Sequence, residues 1–468
     1  MSFAVLLFFF GLLAYMFLTN TTGRFLTLVM GTVLFPTTAL IIKNPSISPQ
    51  HLFLYTFFFI EFFKDRQNFN RSVSSNLLLI PIAISILSYT FTAIYNAGIA
   101  SKDMYYGLRD VVDCFGYIYA AFICGQKEDI YKIAQKLIPF VITVCLFGIV
   151  EVLLGDNYPY KLIHSAFPYY EGDFDLNSTV SFIEHWRFRT CFTTKHPTAF
   201  GTLLMSLFLF YFPYIMKKGQ ERKKIILMLA LLALNLYLCG SRTAMLCSAF
   251  GVGLFFYFKL KPFLKIVIAG CVIFAFSTVL TILVQNFQTN ADRGSGSNLD
   301  FRTAQLLYSV AAIYNSPIFG NGNKYTSHVI FAEDARASDS SGRDLGGLES
   351  IVFSLLIDRG FFGLFSHYLL LLWMFILLFH YRNRLKGISG GYALMAGGIL
   401  FLTLSGTIGN SSSFIFLFTG LQLGYISQYK RIAYENNTEV SDEIEIETSG
   451  NEPEETEPEE TENSLPDT

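Results

Sequence analysis

Apolar runs about as long as a bilayer is thick, roughly 20 residues each, recur along most of this chain and limit what it can fold into. A soluble helical enzyme would show amphipathic stripes instead. The composition agrees: 52% of the residues are hydrophobic and 15% are charged, against about 25% charged in an ordinary soluble domain. Aromatic residues make up 16%, most of them Phe. The expected fold class is an all-α polytopic membrane protein with about 12–13 transmembrane helices and a large outer loop that itself contains helix. Candidate spans fall at residues 3–18, 25–42, 51–63, 77–96, 104–125, 133–154, 197–216, 225–240, 242–258, 263–284, 350–379, 390–408 and 412–429. The run at 350–379 exceeds the thickness of the hydrocarbon and is expected to tilt or project. The first run, Ala4 to Leu18, lacks a basic leader and a small-residue cleavage site and reads as a retained helix.

Charge sets the orientation. Residues 435–468 hold fourteen Asp/Glu and no Lys/Arg, so that against a formal net charge of −2 the remainder carries +12. That excess sits in short loops, most strongly Lys217 to Lys224 with five cations and one acid. Basic loops face the cytoplasm. Alternation then places residues 156–196 and 285–348 outside and the tail inside. The chain divides into a membrane domain, 1–434, and an acidic cytoplasmic tail, 435–468, expected to be disordered because it is too polar to repay ordering. No basic stripe interleaved with aromatics points to nucleic acid. The seven cysteines have no spacing that suggests a metal site or a disulfide framework.

The interval 285–348 is the longest polar one. It carries a helix expected over Phe301 to Tyr314, capped by Asp300 and ended by Asn315-Ser316-Pro317. Ile318 to Gly322 then reads as a tight turn, and a glycine-rich run leads into the next apolar helix. Cations collect in the outer loops: Arg187, Arg189, Lys195, His196, Arg293, Arg302 and His328. Arg242 joins them at the tip of a helix hairpin, beside the small residues Gly240, Ser241 and Thr243. Arginine suits a diphosphate because its planar fork donates two parallel bonds and keeps its charge. Loop anchoring at the headgroups is the plainer reading, and the favoured one for Lys195 and Arg293. His196 stands where Pro197 opens a helix, as a cap or a functional group. Glu349, at the next helix start, is a general base or a favourable acid at a helix N-terminus. Asp358 and Arg359, farther in, either pair with each other or face a cavity. Glu61, Arg109, Asp110, Asp113 and Glu151 are the few charges inside spans.

Three stretches resemble the O-antigen ligase/polymerase superfamily of bacterial polysaccharide assembly. They are Arg187–Gly201 (RFRTCFTTKHPTAFG), Gly240–Ala244 (GSRTA) and Arg302–Gly322 (RTAQLLYSVAAIYNSPIFGNG). The helix after the loop adds a polar pair followed by Gly-Phe-Phe-Gly. The resemblance implies a metal-independent membrane glycosyltransferase, without cofactor, whose donor is a glycan on undecaprenyl diphosphate. It also implies a flippase or chain-length regulator as a partner, and an active site on the periplasmic face of the bacterial inner membrane. Arg242, Arg187, Arg189 and Arg302 would hold the diphosphate; Glu349, His196 and His328 are the candidates for catalysis. Ligases of the superfamily carry His-Asn where Glu349-Ser350 stand here, which favours a polymerase. Ligation to lipid A core and protein glycosylation are the alternatives within the same chemistry. A lipid-linked glycan flippase is the alternative of another class, but it would place its polar groups near the bilayer midplane. A signalling scaffold using the acidic tail is a weaker one. No Walker loop, Rossmann glycine run or DxD-like site is evident.

Overall fold

The computed structural model of the protein describes residues 2–36, 39–42, 47–64, 66, 77–96, 107–167, 183–184, 187–194, 196–216, 221–268, 299–314, 316–323, 325–326, 350–385, 388–405 and 410–449. Its helices are α1 (Ser2–Leu18), α2 (Thr21–Leu34), α3 (Pro49–Lys64), α4 (Leu79–Tyr95), α5 (Tyr117–Lys127), α6 (Ile130–Leu154) and α7 (Tyr158–His164). They continue with α8 (Pro197–Tyr211), α9 (Glu221–Cys239), α10 (Arg242–Tyr257), α11 (Leu299–Ala312), α12 (Ile351–Tyr381), α13 (Gly391–Ser405) and α14 (Asn410–Ser449). A π-helical turn, Val112–Gly116, precedes α5. A two-residue hairpin pairs Glu184 with Arg187.

The fold is that of an all-α membrane protein. Among the described residues three helices are long and apolar enough to cross a membrane: Ile130–Leu154, Pro197–Met216 and Ile351–Tyr381. Four more apolar helices are shorter: Phe3–Leu18, Leu79–Tyr95, Arg242–Tyr257 and Gly391–Ser405. Leu18, Leu153 and Phe263 point outward, whereas Thr202, Ser206, Asn235, Gln305 and Thr419 are fully buried. An apolar surface of this kind needs lipid around it.

Helix α14 runs through the middle of the bundle and packs against α5, α8 and α13. Its contact with α5 is made through Gly420 and Gly424. A Cβ at Gly424 would meet the Phe122 carbonyl oxygen, and one at Gly420 would lie 2.5 Å from the Ile118 carbonyl oxygen. Small residues four apart let two backbones touch where lipid supplies no hydrophobic drive. The helix continues to Ser449, so only residues 450–468 of the tail expected to be disordered lie outside the described residues.

The basic termini gather at one end. Glu61 accepts from Arg24 at 2.5 Å and from Lys127 at 2.9 Å. Lys64 donates to the Phe17 carbonyl at 2.8 Å, and Gln126 to Ser427 at 2.9 Å. Lys430 and Arg384 lie over Tyr381. Glu61 is therefore a buried counter-ion for two cations. Asp113, in the π turn, accepts from His51 at 2.6 Å, with Arg109 3.7 Å away. At the start of α3 the His51 Nδ1 accepts from the Ser48 N–H at 3.1 Å and lies 2.7 Å from Ser48 Oγ.

The long helix α12 does not accommodate its length by tilting alone: it is broken at Gly360, whose φ of 62° and ψ of −161° are open only to glycine. Eighteen residues apart, Ser350 and Tyr368 both reach Thr403, at 2.5 and 2.6 Å. A straight helix would separate them by about 27 Å, so the break folds the first segment back. The turn after α11 fills the break. Asn321 and Gly322 donate their N–H groups to the Ile357 and Asp358 carbonyls, each at 3.0 Å. Phe361 and Phe362 donate to the Pro317 and Ile318 carbonyls at 2.8 and 3.1 Å. Thus the backbone groups that the break would orphan are bonded by a loop some forty residues earlier. Helix α11 itself begins at Leu299, so Asp300 lies within its first turn rather than at its cap. An acid there still favours the helix dipole.

Candidate functional site

At the end of the bundle opposite the basic termini, α8, α9 and α10 meet at a single turn. Helix α9 ends at Cys239, Gly240 takes a φ of 66°, and α10 starts at Arg242. The turn sits close against α8, since a Cβ on Gly201 would lie 2.8 Å from Ser241 Cβ. The Cys239 thiol donates to the Pro197 carbonyl at 2.7 Å. Arg242 is thereby held at the first position of α10 with its side chain exposed.

Arg189 approaches the same turn from the loop before α8. Its Nε donates to the Cys239 carbonyl at 3.0 Å and its Nη2 to the Gly240 carbonyl at 3.3 Å. These are the orphan carbonyls at the negative end of α9, where a cation is favourable. Half-buried, Arg189 spends two donors fixing the turn that presents Arg242. Its loop is anchored in turn by Glu151, at the end of α6. The Glu151 carboxylate accepts from Thr190 Oγ1, from the Phe192 N–H at 2.9 Å and from the Cys191 N–H at 3.2 Å. Phe192 adopts a φ of 53°, which turns successive N–H groups toward one anion. Thr193 then donates to the Val33 carbonyl, tying the loop to α2. Burial pushes the Cys191 thiol well above its usual range, which makes it a poor nucleophile.

His196 is the N-cap of α8. Its Nδ1 accepts from the Thr198 N–H at 3.2 Å and lies 3.0 Å from Thr198 Oγ1. The backbone N–H is an unambiguous donor, so Nδ1 carries no proton and the neutral ring is protonated on Nε2.

Among the residues singled out from sequence, the structure brings Arg189 and Arg242 to one turn, with His196 capping the helix α8 that packs against it. Arg187 stands in the hairpin and Arg302 in the first turn of α11, but their side chains lie outside the described residues. Lys195, Arg293, His328 and Glu349 lie outside them altogether. Asp358 and Arg359 do not pair: Asp358 Oδ1 accepts from the Thr326 N–H at 2.7 Å and from Thr326 Oγ1 at 2.5 Å. Glu151 was legible only as a charge inside a span, and the contact of Arg189 with the α9–α10 turn was not legible, because Arg189 and Gly240 are 51 residues apart. Among the described residues no three His, Cys, Asp or Glu side chains converge in a metal-binding group.

The fold and this turn describe a helical membrane protein that presents Arg242 at the end of its bundle away from the Glu61 ion cluster. Residues 227–368 match the family described as O-antigen ligase, which supports the resemblance to the O-antigen ligase/polymerase superfamily. The matched segment contains Arg242, α11, the Pro317–Gly322 turn and the broken part of α12, but not Arg187–Gly201. No curated protein matches the chain.

Proposed function

We propose that the protein is a polysaccharide polymerase acting at the periplasmic face of the bacterial inner membrane, within the O-antigen ligase/polymerase type of membrane glycosyltransferase that the family segment supports. The donor would be a glycan on undecaprenyl diphosphate. The acceptor sugar's hydroxyl oxygen attacks the donor's anomeric carbon and the bond to the diphosphate oxygen breaks. The diphosphate leaves with the electron pair, and the hydroxyl proton passes to a base. The observation that carries this reading is the exposed Arg242, held on a turn that Arg189 braces, within the matched segment. Such a cation stabilises the charge that grows on the leaving diphosphate. Arg187 and Arg302 are further candidates for the same group. His196 suits the site as a donor through Nε2–H rather than as the base, because its Nδ1 is engaged as the cap. Glu349 and His328 are then the candidates for the base. A flippase or chain-length regulator would be the protein partner.

A second reading, ligation of glycan to lipid A core, is favoured by the description of the matched family itself. Reconstitution in liposomes with an undecaprenyl-diphosphate repeat unit separates the two. A ladder formed from the repeat unit alone supports polymerase. Product that requires added lipid A core supports ligase, and no transfer with either acceptor removes both. For sidedness, a cysteine at Ser338 should react with an impermeant thiol reagent in cells with a permeabilised outer membrane. Labelling only after inner-membrane lysis would place the loop in the cytoplasm.

A further inference from the structure

Arg359 ends the first segment of α12, immediately before the break. It is 2% exposed, and no carboxylate pairs with it among the described residues. Its guanidinium lies 3.8 Å from the centroid of the Tyr89 ring, and Nη1 makes one long contact, 3.4 Å, with Ser88 Oγ. Nη2 is buried and meets no acceptor among the described residues. Asp358, the adjacent acid, is turned away onto Thr326. The side chain passes over the bare Gly363, whose Cβ would lie 3.4 Å from Arg359 Nε. The cation therefore stands beside the first turn of the second α12 segment, at the positive end of a helix dipole.

Two positive charges, one whole and one partial, thus face each other in a medium of low dielectric. One aromatic face does not offset this, because a desolvated cation–π contact stabilises less than burying an unpaired ion costs. His367, two turns farther along the same helix, is also 2% exposed, and its Nε2 meets no partner among the described residues. Ser85 and Ser88 of α4 line the facing side, where Ser85 Oγ donates to the Ser366 carbonyl at 3.2 Å.

We propose that Arg359 anchors an anion site at the helix break, between α4 and α12, that takes a phosphate group. Arginine's fork matches phosphate oxygens, and a tetrahedral anion has enough acceptors to meet Nη2 and His367 from different directions. Helix N-termini within membranes serve anions in the same way. This site is distinct from the Arg242 turn and stands whether or not the chain transfers glycans. The phosphate comes either from a lipid headgroup or from free phosphate.

The test uses full-length protein in nanodiscs made of a neutral glycolipid and buffered in gluconate, in the Arg242→Gln background to weaken the competing phosphate site, so that the comparison with and without Arg359 carries the result. Inorganic phosphate and dodecyl phosphate are each titrated against the thermal unfolding midpoint. Binding of either probe should weaken roughly tenfold to a hundredfold in Arg359→Gln. A response to dodecyl phosphate alone assigns a lipid headgroup; a response to inorganic phosphate assigns a free anion. Equal binding with and without Arg359 overturns the proposal, as does stabilisation by chloride and by neither phosphate probe. Should Arg359→Gln fail to fold, Ser88→Asp provides the test, since it places a carboxylate beside Nη1. It should raise the midpoint and abolish the response to the probe; a folded Ser88→Asp protein that still binds phosphate with wild-type affinity overturns the site.

Discussion

Replacing Gly360 by alanine tests the interlock between the turn after α11 and α12. A Cβ there would lie 2.5 Å from both the Pro317 and Ile318 carbonyl oxygens and 2.6 Å from the Ile318 carbonyl carbon. All three are backbone atoms, with no side chain to swing aside. If the turn stays in place, the clash adds to about 1–3 kcal/mol for a non-glycine residue in that conformation. If the turn is expelled, four backbone hydrogen bonds are lost, about 1 kcal/mol each. Straightening the helix with alanine returns about 1 kcal/mol. Because backbone atoms at 2.5 Å cannot swing aside, expulsion is the expected route, at a net cost of about 3 kcal/mol. Gly360→Ala should therefore lower the unfolding midpoint and expose the buried Ser316. A cysteine at Ser316 should react slowly with maleimide when Gly360 is present and quickly in Gly360→Ala, with the unsubstituted protein as the background for its own buried cysteines. Gly320→Ala should behave alike, because its Cβ would lie 2.5 Å from the Arg359 N and the Asp358 O. The double substitution should cost little more than either alone, since both remove one contact set. Gly253→Ala is the control, with nothing within 4 Å of its Cβ. An unchanged midpoint and slow labelling in Gly360→Ala would refute the interlock.

Arg242→Lys should impair transfer in a well-folded protein, and Arg242→Ala should reduce it by roughly a hundredfold to a thousandfold at normal membrane levels; full-length polymer from well-expressed Arg242→Ala would end its assignment to the diphosphate. Gly424→Leu should separate α14 from α5 and cost about 1–3 kcal/mol, as overpacking does, which a lowered midpoint in detergent would show. Truncation at Asn436 should leave polymer formation intact; a chain that inserts normally and makes none would contradict this. Burial of His164, outside the spans in α7, lowers its pKa from 6.5 to about 4. The unfolded chain then binds the extra proton first, so stability should be full above about pH 6.5 and decline between 6.5 and 4; a His164→Phe protein with the same decline would show that another group is responsible.

Membrane helices were legible because their signal is local. Residues 130–154, 197–216 and 351–381 each read as apolar runs within a few residues of their observed ends. Arg359-Gly360, by contrast, is two residues inside such a run, and nothing local announces that the helix reverses there. The Pro317–Gly322 turn was legible as a turn, and its destination was not, because the carbonyls it satisfies lie about forty residues on. Gly420 and Gly424 are spaced for helix contact, yet only the backbone of α5 beside them shows why. Arg189 was legible as a cation suited to a diphosphate. Its two donors instead close the end of α9, a role that depends on where a helix fifty residues away stops.

Arg242 and Arg359, both within the matched segment, therefore have different physical standing. Arg242 is exposed at a helix start, so a ligand can reach and leave it without moving the backbone. Arg359 is enclosed, and the groups that enclose it are shared with the loop before α12: both donors to the Asp358 carboxylate come from Thr326, and the break at Gly360 is bonded by residues 317–322. A ligand can reach Arg359 only if α4 and α12 separate or if that turn lifts. Lifting the turn would also free Asp358, one residue from Arg359, to take its charge. Withdrawal of the loop and neutralisation of Arg359 by Asp358 would then be coupled events, and an anion at Arg359 would favour the seated turn. Stabilisation by phosphate should for that reason disappear in Gly360→Ala even though Arg359 is retained.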